Sequence, residues 1–386
     1  MQKENNKLDF TNQTVFVGID VHKKQWSVTI NTGGQQIKTF SMNPSTKELS
    51  KYLMKNYPKA KYQSCYEAGY CGYWIDRQLK SMGIENIVVN PADVPTSNKE
   101  KTSKTDRIDS RKLARELSSN NLKGIYIPAE EQQAARTLSR LRIQLVKDQT
   151  RVKNRIKSLL NFLGVQLPEN IEVKYWSGKF IKYIESLNFQ QEEVKQTLQQ
   201  HLRQLKTLRE QMTEVVRMLR KMINQDEDKQ KIITRLMTVP GIGFITAVTL
   251  YTEIMDIRRF LGYDHLSSYV GLAPSTYSTG GKEVVLGITQ RQNTYLRNIL
   301  IESAWIASRK DPALTMKYGQ LIKRMKKQEA IIRIAKKLLR RIMHLWKGKE
   351  DYIFTVSYFL MLFKYNIFLV KIFEKNFSDT NYTNFH

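Results

Sequence analysis

The first part of the chain alternates between short apolar runs and amphipathic stretches. Residues 15–30, VFVGIDVHKKQWSVTI, alternate with a period of two, which predicts one strand with its apolar positions from Val15 to Val21 on one face. The Gly33–Gly34 pair is typical of a hairpin turn, and QIKTFSM follows it as a partner strand. We therefore expect this region to begin as a long strand paired with a second one.

Helical and strand patterns then alternate. STKELSKYLMKNYP opens with a Ser/Thr cap and ends at Pro58, which predicts a helix, and YWIDRQLKSMG predicts another that stops at Gly83. KYQSCYEA and IENIVVNP are typical of strands. This alternation predicts an α/β domain, which we bound at residues 14–128, after a polar extension of residues 1–13.

The pattern changes to a helical period after Glu130. The stretch AARTLSRLRIQLVKDQTRVKNRIKSLLNFLG repeats its apolar positions at helical spacing, with Arg and Lys on the other faces. Residues 189–225 are Gln-rich, contain no Gly or Pro, and predict one long helix. An ordinary bundle helix and a dimerisation arm, as a coiled coil or helical hairpin, both fit its narrow apolar stripe. We assign residues 129–231 to a helical linker and coiled-coil arm.

A third region, residues 232–350, is mostly helical in pattern. Its last helix, IIRIAKKLLRRIMHLWKGK, places apolar residues from Ile331 to Leu345 on one side and its cations elsewhere. Because the whole chain is basic, we expect these cations to contact nucleic acid rather than solvent alone. The cations assigned to this contact are Lys336, Lys337, Arg340 and Arg341. Residues 351–386 form an appended tail whose role the pattern leaves open.

Composition narrows the choice of partners. The 386 residues include 63 Lys and Arg against 36 Asp and Glu, a formal net charge of +27, and the pI is about 9.8. Such an excess indicates a polyanionic partner, with nucleic acid first and an anionic membrane surface second. The apolar runs 353–363 and 367–373 are shorter than a membrane span, and the N-terminus has no signal-peptide core. We therefore expect a cytoplasmic, nucleoid-associated protein without a membrane partner.

Four acids of the α/β region are candidate metal ligands. Asp20 lies within an apolar strand, where an unpaired carboxylate is costly. Asp106 and Asp109 are spaced to share one face of a helix, and Glu67 follows a strand-like run. If they meet at one end of the sheet, four oxygen donors suit Mg²⁺ or Mn²⁺, which commonly serve phosphodiester chemistry. The alternative is that each acid is a surface or ion-paired residue.

Cations surround two of these acids in KTSKTDRIDSRKLAR, residues 101–115. We expect Lys104, Arg107 and Arg111 to hold the flanking phosphate backbone. The neighbouring aspartates need not repel DNA, because a bound metal ion would reverse the local field and let a phosphodiester approach.

A glycine-rich turn is the next candidate. TVPGIGFITAVTL, residues 238–250, places Gly241 and Gly243 between two apolar helical segments and resembles a helix–hairpin–helix element. In such turns backbone N–H groups approach a DNA phosphate, and glycine permits the close contact. A plain tight turn between two helices is the alternative.

A hydroxyl-rich loop is expected within residues 269–297. A Ser/Thr cluster that includes Ser278 and Thr279 precedes a Gly-Gly pair, and Arg291 and Arg297 follow it. A hydroxyl on a flexible loop beside arginines can attack a phosphodiester and form a phosphoester intermediate. The same hydroxyls can instead cap helices, and chemistry alone favours that simpler role.

The ordered set of motifs resembles a known family. GIDVHKK, CYEAGY, KTDRIDSRKLA, VPGIGFITAVTL, VGLAPSTYSTGGK and the IRIAKKLL helix follow one another at suitable intervals over residues 14–350. They resemble the DEDD transposases of bacterial insertion sequences, the IS one-hundred-and-ten family, which includes bridge-RNA-guided recombinases and is related to pilin-gene invertases. No single motif is decisive, whereas the ordered set is highly specific.

The resemblance implies a fold and a mechanism. The N-terminal α/β domain would be RNase H-like, of the Holliday-resolvase kind, with Asp20, Glu67, Asp106 and Asp109 holding Mg²⁺ or Mn²⁺. The mostly α-helical C-terminal transposase domain would supply a serine that joins DNA covalently during strand exchange. A structured non-coding bridge RNA would guide the enzyme by pairing with donor and target DNA. The helical arm would hold protomers in a homo-oligomer, a dimer of dimers, with active sites composed between subunits.

The nucleophile position departs from the family pattern. The family's serine commonly stands directly before the glycine, where this chain has Thr279, with Ser278 one residue earlier. Either Ser278 has taken the role, or Thr279 serves despite its branched Cβ, or the protein is impaired; we favour Ser278. The family's basic-Arg-Gly-Asn run is here TQRQN, which keeps Arg291 and Asn293.

The main hypothesis is therefore an RNA-guided DNA recombinase of a mobile element. One alternative is a metal-dependent junction resolvase or invertase that works without a guide. A second alternative is a catalytically impaired relative that only binds DNA or RNA, which Thr279 and the appended tail favour slightly. A co-purifying transcript would distinguish the guided enzyme from the unguided one, and a covalent protein–DNA adduct would exclude the impaired relative.

Overall fold

The fold was analysed in a computed structural model of the chain. It describes residues 9–96, 105–167, 176–279, 282–289, 292–348 and 351–352, with the backbone alone for 275–279 and 282–286. The chain divides into two compact units, Met1–Pro128 and Ala129–His386. An α/β sheet unit is followed by a mostly helical one, which confirms that part of the predicted fold class.

A five-stranded sheet forms the N-terminal unit, with β1 at its centre and the order β3-β2-β1-β4-β5. Strands β1, β2 and β3 are antiparallel neighbours, whereas β4 and β5 run parallel to β1. The strands are β1 Thr14–Val21, β2 Trp26–Thr32, β3 Gln35–Met42, β4 Lys61–Glu67 and β5 Glu85–Val89.

The single strand expected over residues 15–30 is wrong. The chain instead forms β1 and β2, which pair in antiparallel register from Phe16↔Asn31 to Val21↔Trp26. The polar run HKKQ between them reverses the direction of the chain. Paired residues of the two strands share a face of the sheet, so the alternation of apolar and polar residues continues from β1 into β2 and resembles one long strand. The predicted Gly33–Gly34 turn between β2 and β3 is confirmed, and both glycines have positive φ.

The two faces of the sheet are covered by different helices. Helices α1, Thr46–Asn56, and α2, Trp74–Ser81, pack on the apolar face that carries Val17 and Ile19. Helix α3, Asp106–Ser118, packs on the opposite face over β1 and β2. There Gly18 permits contact between backbones, because an added Cβ would lie 2.2 Å from the Ser110 carbonyl oxygen.

Two long helices of the second unit pair as an antiparallel hairpin. These are α4, Glu130–Phe162, and α6, Glu192–Asn224, with the short α5, Gly178–Glu185, between them. The end of α4 near Ile156 shares a cluster with Leu198 and Leu202, and its start near Leu145 shares one with Val215. The apolar stripe of the predicted arm is thus covered by a helix of the same chain.

The remaining helices build one large core together with this hairpin. It joins residues of α6, such as Ile223, to Leu250 and Leu338, so the two regions predicted as separate domains share apolar packing. The helices are α7 Glu227–Met237, α8 Phe244–Ile254, α9 Tyr263–Val270, α10 Thr294–Lys310, α11 Pro312–Ile322 and α12 Lys327–Gly348. Among the described residues, no helix combines the length and apolar character needed to cross a bilayer.

The loop expected around residues 275–279 is wrong. Strand β6, Pro274–Thr279, pairs in antiparallel register with β7, Lys282–Ile288, and Ser278 lies opposite Glu283. The alternation of Ser, Thr and Tyr in β6 and the Val-Val pair in β7 suit a strand, which explains the difference. The predicted tail beyond residue 352 lies outside the described residues, as do residues 1–8 of the N-terminal extension.

Candidate functional site

Strands β1 and β4 bring two acids to the same end of the sheet. Their parallel register ends at Ile19↔Tyr66, so Asp20 and Glu67 follow side by side at the carboxyl ends of both strands. Asp20 is two residues from Gly18 and therefore lies on the face that α3 covers. The fold therefore places the backbones of Asp20 and Glu67 next to each other at this edge, and a shared role for their carboxylates stays a prediction.

Helix α3 brings the other two acids to this edge. The Thr105 side chain caps the helix by accepting a hydrogen bond from the Ile108 N–H, which places Asp106 and Asp109 in the first turn. In the next position after Asp109, the Ser110 hydroxyl lies 3.1 Å from Ser27 Oγ and 2.9 Å from Thr29 Oγ1. These contacts fix the helix on the sheet with its acidic first turn beside the strand ends.

His22 links two members of the acidic group. Its Nε2 lies 3.2 Å from Asp20 Oδ2 and 3.5 Å from Asp106 Oδ1, just after the end of β1. Within the described part of the chain, these three residues form a group whose ligand atoms all lie within 4.8 Å of one another. The sequence reasoning named the motif that contains His22 but assigned the residue no role.

Lys112 links the other two acids. Its ammonium lies 3.2 Å from Asp109 Oδ1 and 3.5 Å from Glu67 Oε1, and only 8% of its side chain is exposed. The sequence reasoning also gave Lys112 no role. The signal that could have indicated one is its position one helical turn after Asp109. The quartet is therefore divided into two pairs of carboxylates, each linked by a nitrogen group.

The electrostatics of this edge favour a bound cation. Burial raises the pKa of the Asp20 carboxyl, and the negative charges of Asp106 and Asp109 raise it further, while His22 opposes the change. A divalent ion near Asp20 would relieve both effects, because it compensates desolvation and the repulsion between carboxylates. Asp20, His22 and Asp106 therefore form a possible acidic site for a divalent metal ion.

Two of the three cations assigned to the DNA backbone near this edge lie on α3. Arg107 and Arg111 are exposed, and Arg111 Nε donates a hydrogen bond to Thr39 Oγ1 at 3.3 Å. Lys104 lies outside the described residues. A phosphate contact by these side chains stays a prediction.

A buried carboxylate organises the second unit. Glu253 on α8 is fully buried and accepts two hydrogen bonds from Arg140 of α4, at 2.6 and 2.8 Å. Asn293 Nδ2 donates to the same carboxylate at 2.8 Å. Arg136 and the Tyr269 hydroxyl donate to the Glu253 backbone carbonyl at 3.1 and 2.9 Å. Sequence reasoning missed Glu253, because a glutamate in an apolar helix shows no partner until the fold is known.

This carboxylate network reaches the base of the β6–β7 hairpin. Asn293 caps α10 by accepting hydrogen bonds from the N–H groups of Tyr295 and Leu296. Arg297 on the same helix donates to the Thr289 carbonyl at 3.0 Å and contacts Gln292. Burial lowers the pKa of the Arg297 guanidinium, and its Nε has no hydrogen-bond partner among the described residues. Arg297 thus has a contact within the fold, and its predicted nucleic-acid contact is untested.

The predicted nucleophiles lie near the tip of this hairpin. Ser278 and Thr279 are the last residues of β6, and Thr279 pairs with Lys282 of β7. Their side chains, and the whole of Arg291, lie outside the described part of the chain. The choice between Ser278 and Thr279 therefore stays open.

The glycine-rich turn lies between α7 and α8, as predicted. Gly241 has φ +88°, and an added Cβ would lie 2.4 Å from the Ser303 carbonyl oxygen of α10. Close packing against α10 is therefore sufficient reason for a glycine at this position. Gly243 is exposed and caps α8, so it is the better placed of the two for a phosphate contact.

Four cations of α12 were predicted to bind nucleic acid, and they differ in their surroundings. Lys337 and Arg340 are exposed, and the Arg340 guanidinium lies 4.5 Å from the Tyr263 ring centroid. Lys336 is partly buried, which lowers the pKa of its ammonium. Arg341 instead forms an ion pair with the buried Asp311 at 2.8 Å. This ion pair gives Arg341 a role in packing that the helical pattern did not reveal.

Comparison with known proteins identifies the family. A profile described as Transposase, of the DEDD type, matches residues 17–164, and one described as Transposase IS116/IS110/IS902 family matches residues 233–319. The chain belongs to the IS116/IS110/IS902 family of insertion-sequence transposases. The family predicted from the ordered motifs is thus confirmed.

Several curated relatives are transposases of insertion sequences. A putative transposase of Sinorhizobium fredii is 27% identical over 295 residues, which cover 75% of this chain and 71% of that protein. The transposase of an insertion sequence element of Coxiella burnetii is 30% identical over 236 residues, 61% of this chain and 63% of that protein. A similar transposase of Yersinia enterocolitica is also 30% identical, over 60% of this chain and 66% of that protein.

Proposed function

We propose that this transposase cleaves, exchanges and rejoins DNA strands at a metal-bound acidic quartet on an RNase H-like domain. The observation that carries the proposal is the convergence of Asp20, Glu67, Asp106 and Asp109 at one end of the β1–β4 pair. Three antiparallel strands followed by two parallel ones, with α3 across the central strand, support the RNase H-like assignment. The profile match over residues 17–164 supports the DEDD chemistry.

The acids, with His22, would hold Mg²⁺ or Mn²⁺. The metal would supply positive charge to a phosphodiester oxygen. The chain's own groups bind and orient: Asp20 and Asp106 offer oxygens beside His22, and Lys112 compensates the charge of Glu67 and Asp109. Arg107 and Arg111, exposed on α3, would hold the flanking backbone of the DNA.

The nucleophile would come from the β6–β7 hairpin of the second unit. In the proposed step, the hydroxyl oxygen of Ser278, or of Thr279, forms a bond to phosphorus. The bond from phosphorus to the leaving deoxyribose oxygen breaks, and the hydroxyl proton is released to a base or to water. The exposed Gly243 turn and the cations of α12 would bind nucleic acid in the same unit.

A structured bridge RNA would choose donor and target DNA by base pairing. The net charge of +27 supports an extended polyanionic partner. We further propose a homo-oligomer, a dimer of dimers, that acts in the cytoplasm in association with the nucleoid. Since α4 already covers the apolar stripe of α6, contacts between protomers would use the outer surfaces of this hairpin.

A trapping experiment tests the chemistry. Full-length protein is incubated with the element's RNA and a nicked suicide substrate made from the element's ends, and covalent adducts are resolved on a denaturing gel. We expect an RNA-dependent adduct in the parent and its loss in Asp20→Ala. Asp148→Ala, which removes a partly exposed, ion-paired acid of α4, is the matched control. If Asp20→Ala folds normally and forms as much adduct as the parent, the quartet has no catalytic role.

A second experiment separates the alternatives. Protein purified from cells is sequenced for bound RNA, and a discrete transcript encoded beside the gene is expected for the guided enzyme. Recovery of active protein without such a transcript would favour the unguided resolvase or invertase. The threonine at the family's serine position favours the impaired relative. Unchanged recombination in Ser278→Ala and in Thr279→Ala would exclude both hydroxyls as the nucleophile.

A further inference from the structure

Lys112 is an unusual component of a metal-binding acidic group. Its side chain is 8% exposed, whereas a lysine ammonium normally keeps contact with water. Both described ion-pair partners, Glu67 and Asp109, belong to the proposed quartet, at 3.5 and 3.2 Å. An ammonium therefore already lies between two of the four carboxylates that would hold metal.

The fold fixes this position strongly. Lys112 follows Asp109 by one turn of α3, and the neighbouring Leu113 and Ala114 are buried. The contact between Ala114 and Gly18 sets the height of the helix above β1, where an added Cβ would lie 2.4 Å from the Ala114 nitrogen. Because the helix cannot move closer or roll easily, the lysine is held beside Glu67.

The acidic group is asymmetric as a result. On one side, Asp20, His22 and Asp106 present ligand atoms that all lie within 4.8 Å of one another. On the other side, Lys112 occupies the space between Glu67 and Asp109. A pair of catalytic metal ions, about 3.5–4 Å apart, would place its second ion among these same carboxylate oxygens, where it would meet an ammonium of like charge.

We propose that Lys112 takes the place of a second metal ion, so that each chain binds one divalent ion on the side of Asp20, His22 and Asp106. This inference rests on the proposed metal-dependent function and specifies its metal content. The ammonium compensates the charge of Glu67 and Asp109 and excludes a second ion from them. An ordinary ion pair that only stabilises the helix would not set the number of ions bound.

The test counts metal ions directly. Full-length protein freed of metal with EDTA is titrated with Mn²⁺, and free Mn²⁺ is followed by electron paramagnetic resonance. Lys112→Met keeps the length of the side chain and removes the charge. Lys80→Met is the matched control, because Lys80 also pairs with a buried acid, Asp76, but on α2 at the other face of the sheet. Anomalous scattering from Mn²⁺-soaked crystals locates each ion.

We expect one ion per chain in the parent and in Lys80→Met, and two in Lys112→Met, with the new ion beside Glu67 and Asp109. Two ions in the parent would overturn the inference while leaving a metal-dependent function intact. One ion in a folded Lys112→Met would also overturn it, since the lysine would then exclude nothing. If the parent binds no Mn²⁺ at all, the proposed metal-dependent function itself fails, and the role of Lys112 with it.

Discussion

Replacing Gly18 by alanine tests how the fold builds the acidic edge. Gly18 lies on β1 two residues before Asp20 and directly under α3. An added Cβ would lie 2.2 Å from the Ser110 carbonyl oxygen and 2.4 Å from the Ala114 nitrogen. Both neighbours are backbone atoms, so no side chain can rotate away, and the whole helix must move.

The size of the effect follows from these contacts. Helix α3 must retreat by about 1 Å to restore ordinary van der Waals distances. Overpacking of this kind costs about 1–3 kcal/mol, and weakening of the hydroxyl contacts that Ser110 makes with Ser27 and Thr29 adds about 1 kcal/mol. Since α3 carries Asp106 and Asp109 while β1 carries Asp20, the same movement separates the ligands. A misplacement of about 1 Å lowers catalytic rates by about 100-fold.

Two measurements follow the two consequences. Urea-dependent hydrogen exchange of peptides from α3 gives the free energy of opening for this helix, and Mn²⁺ titration gives the metal affinity. Gly124→Ala is the control in the same unit, because its Cβ would lie 3.4 Å from the Ile87 Cβ, an ordinary contact. We expect Gly18→Ala to lose about 3 kcal/mol and much of its affinity. If both substitutions behave alike, α3 does not rest on Gly18 and this account of the site is wrong.

Three further predictions concern buried groups. Glu253→Gln should lower the free energy of unfolding of α8 by about 3 kcal/mol, because it leaves the Arg140 guanidinium without its carboxylate, and a loss below about 1 kcal/mol in hydrogen exchange would contradict this. In EDTA, Asp20→Asn should be more stable than the parent at neutral pH. Because the pKa of Asp20 is raised in the folded state, the parent loses stability as the pH rises from 3.8 through the folded-state pKa. The stability difference between Asp20→Asn and the parent, measured by urea unfolding, should therefore vanish below pH 3.8. Gly241→Ala should cost about 3 kcal/mol, since φ is +88° and the Cβ would lie 2.4 Å from the Ser303 oxygen; an unchanged thermal midpoint would refute it.

Much of the acidic edge followed from local pattern. Asp20 was noticed because it is the acid within the apolar run of β1. The spacing of Asp106 and Asp109 placed both on one face of a helix, and Glu67 was noticed because it comes after a strand-like run. These are short-range properties, because strand and helix periods are set by the backbone of neighbouring residues. The same local reasoning failed at the turn between β1 and β2, since the period of two runs unbroken through both strands of a hairpin.

The second unit shows where local pattern is insufficient. The stripe on α6 was correctly read as needing a partner helix, but sequence could not choose between another chain and α4. Arg341 has the same local pattern as its exposed neighbours on α12, yet Asp311, thirty residues earlier, pairs with it in the fold. Residues 275–279 were expected as a loop because serines and threonines favour turns as well as short strands.

The sequence by itself determined the family, the succession of an α/β region by a mostly helical one, the basic character and the four candidate acids. Only the tertiary structure decided what lies between those acids. His22 and Lys112 gain their positions from the packing of α3 on Gly18, which joins residues about 90 positions apart in the chain. The physical reason is that the sequence period of a strand or helix determines which face of the element a side chain lies on. Which residue that side chain contacts depends on the element that packs against that face in the folded chain.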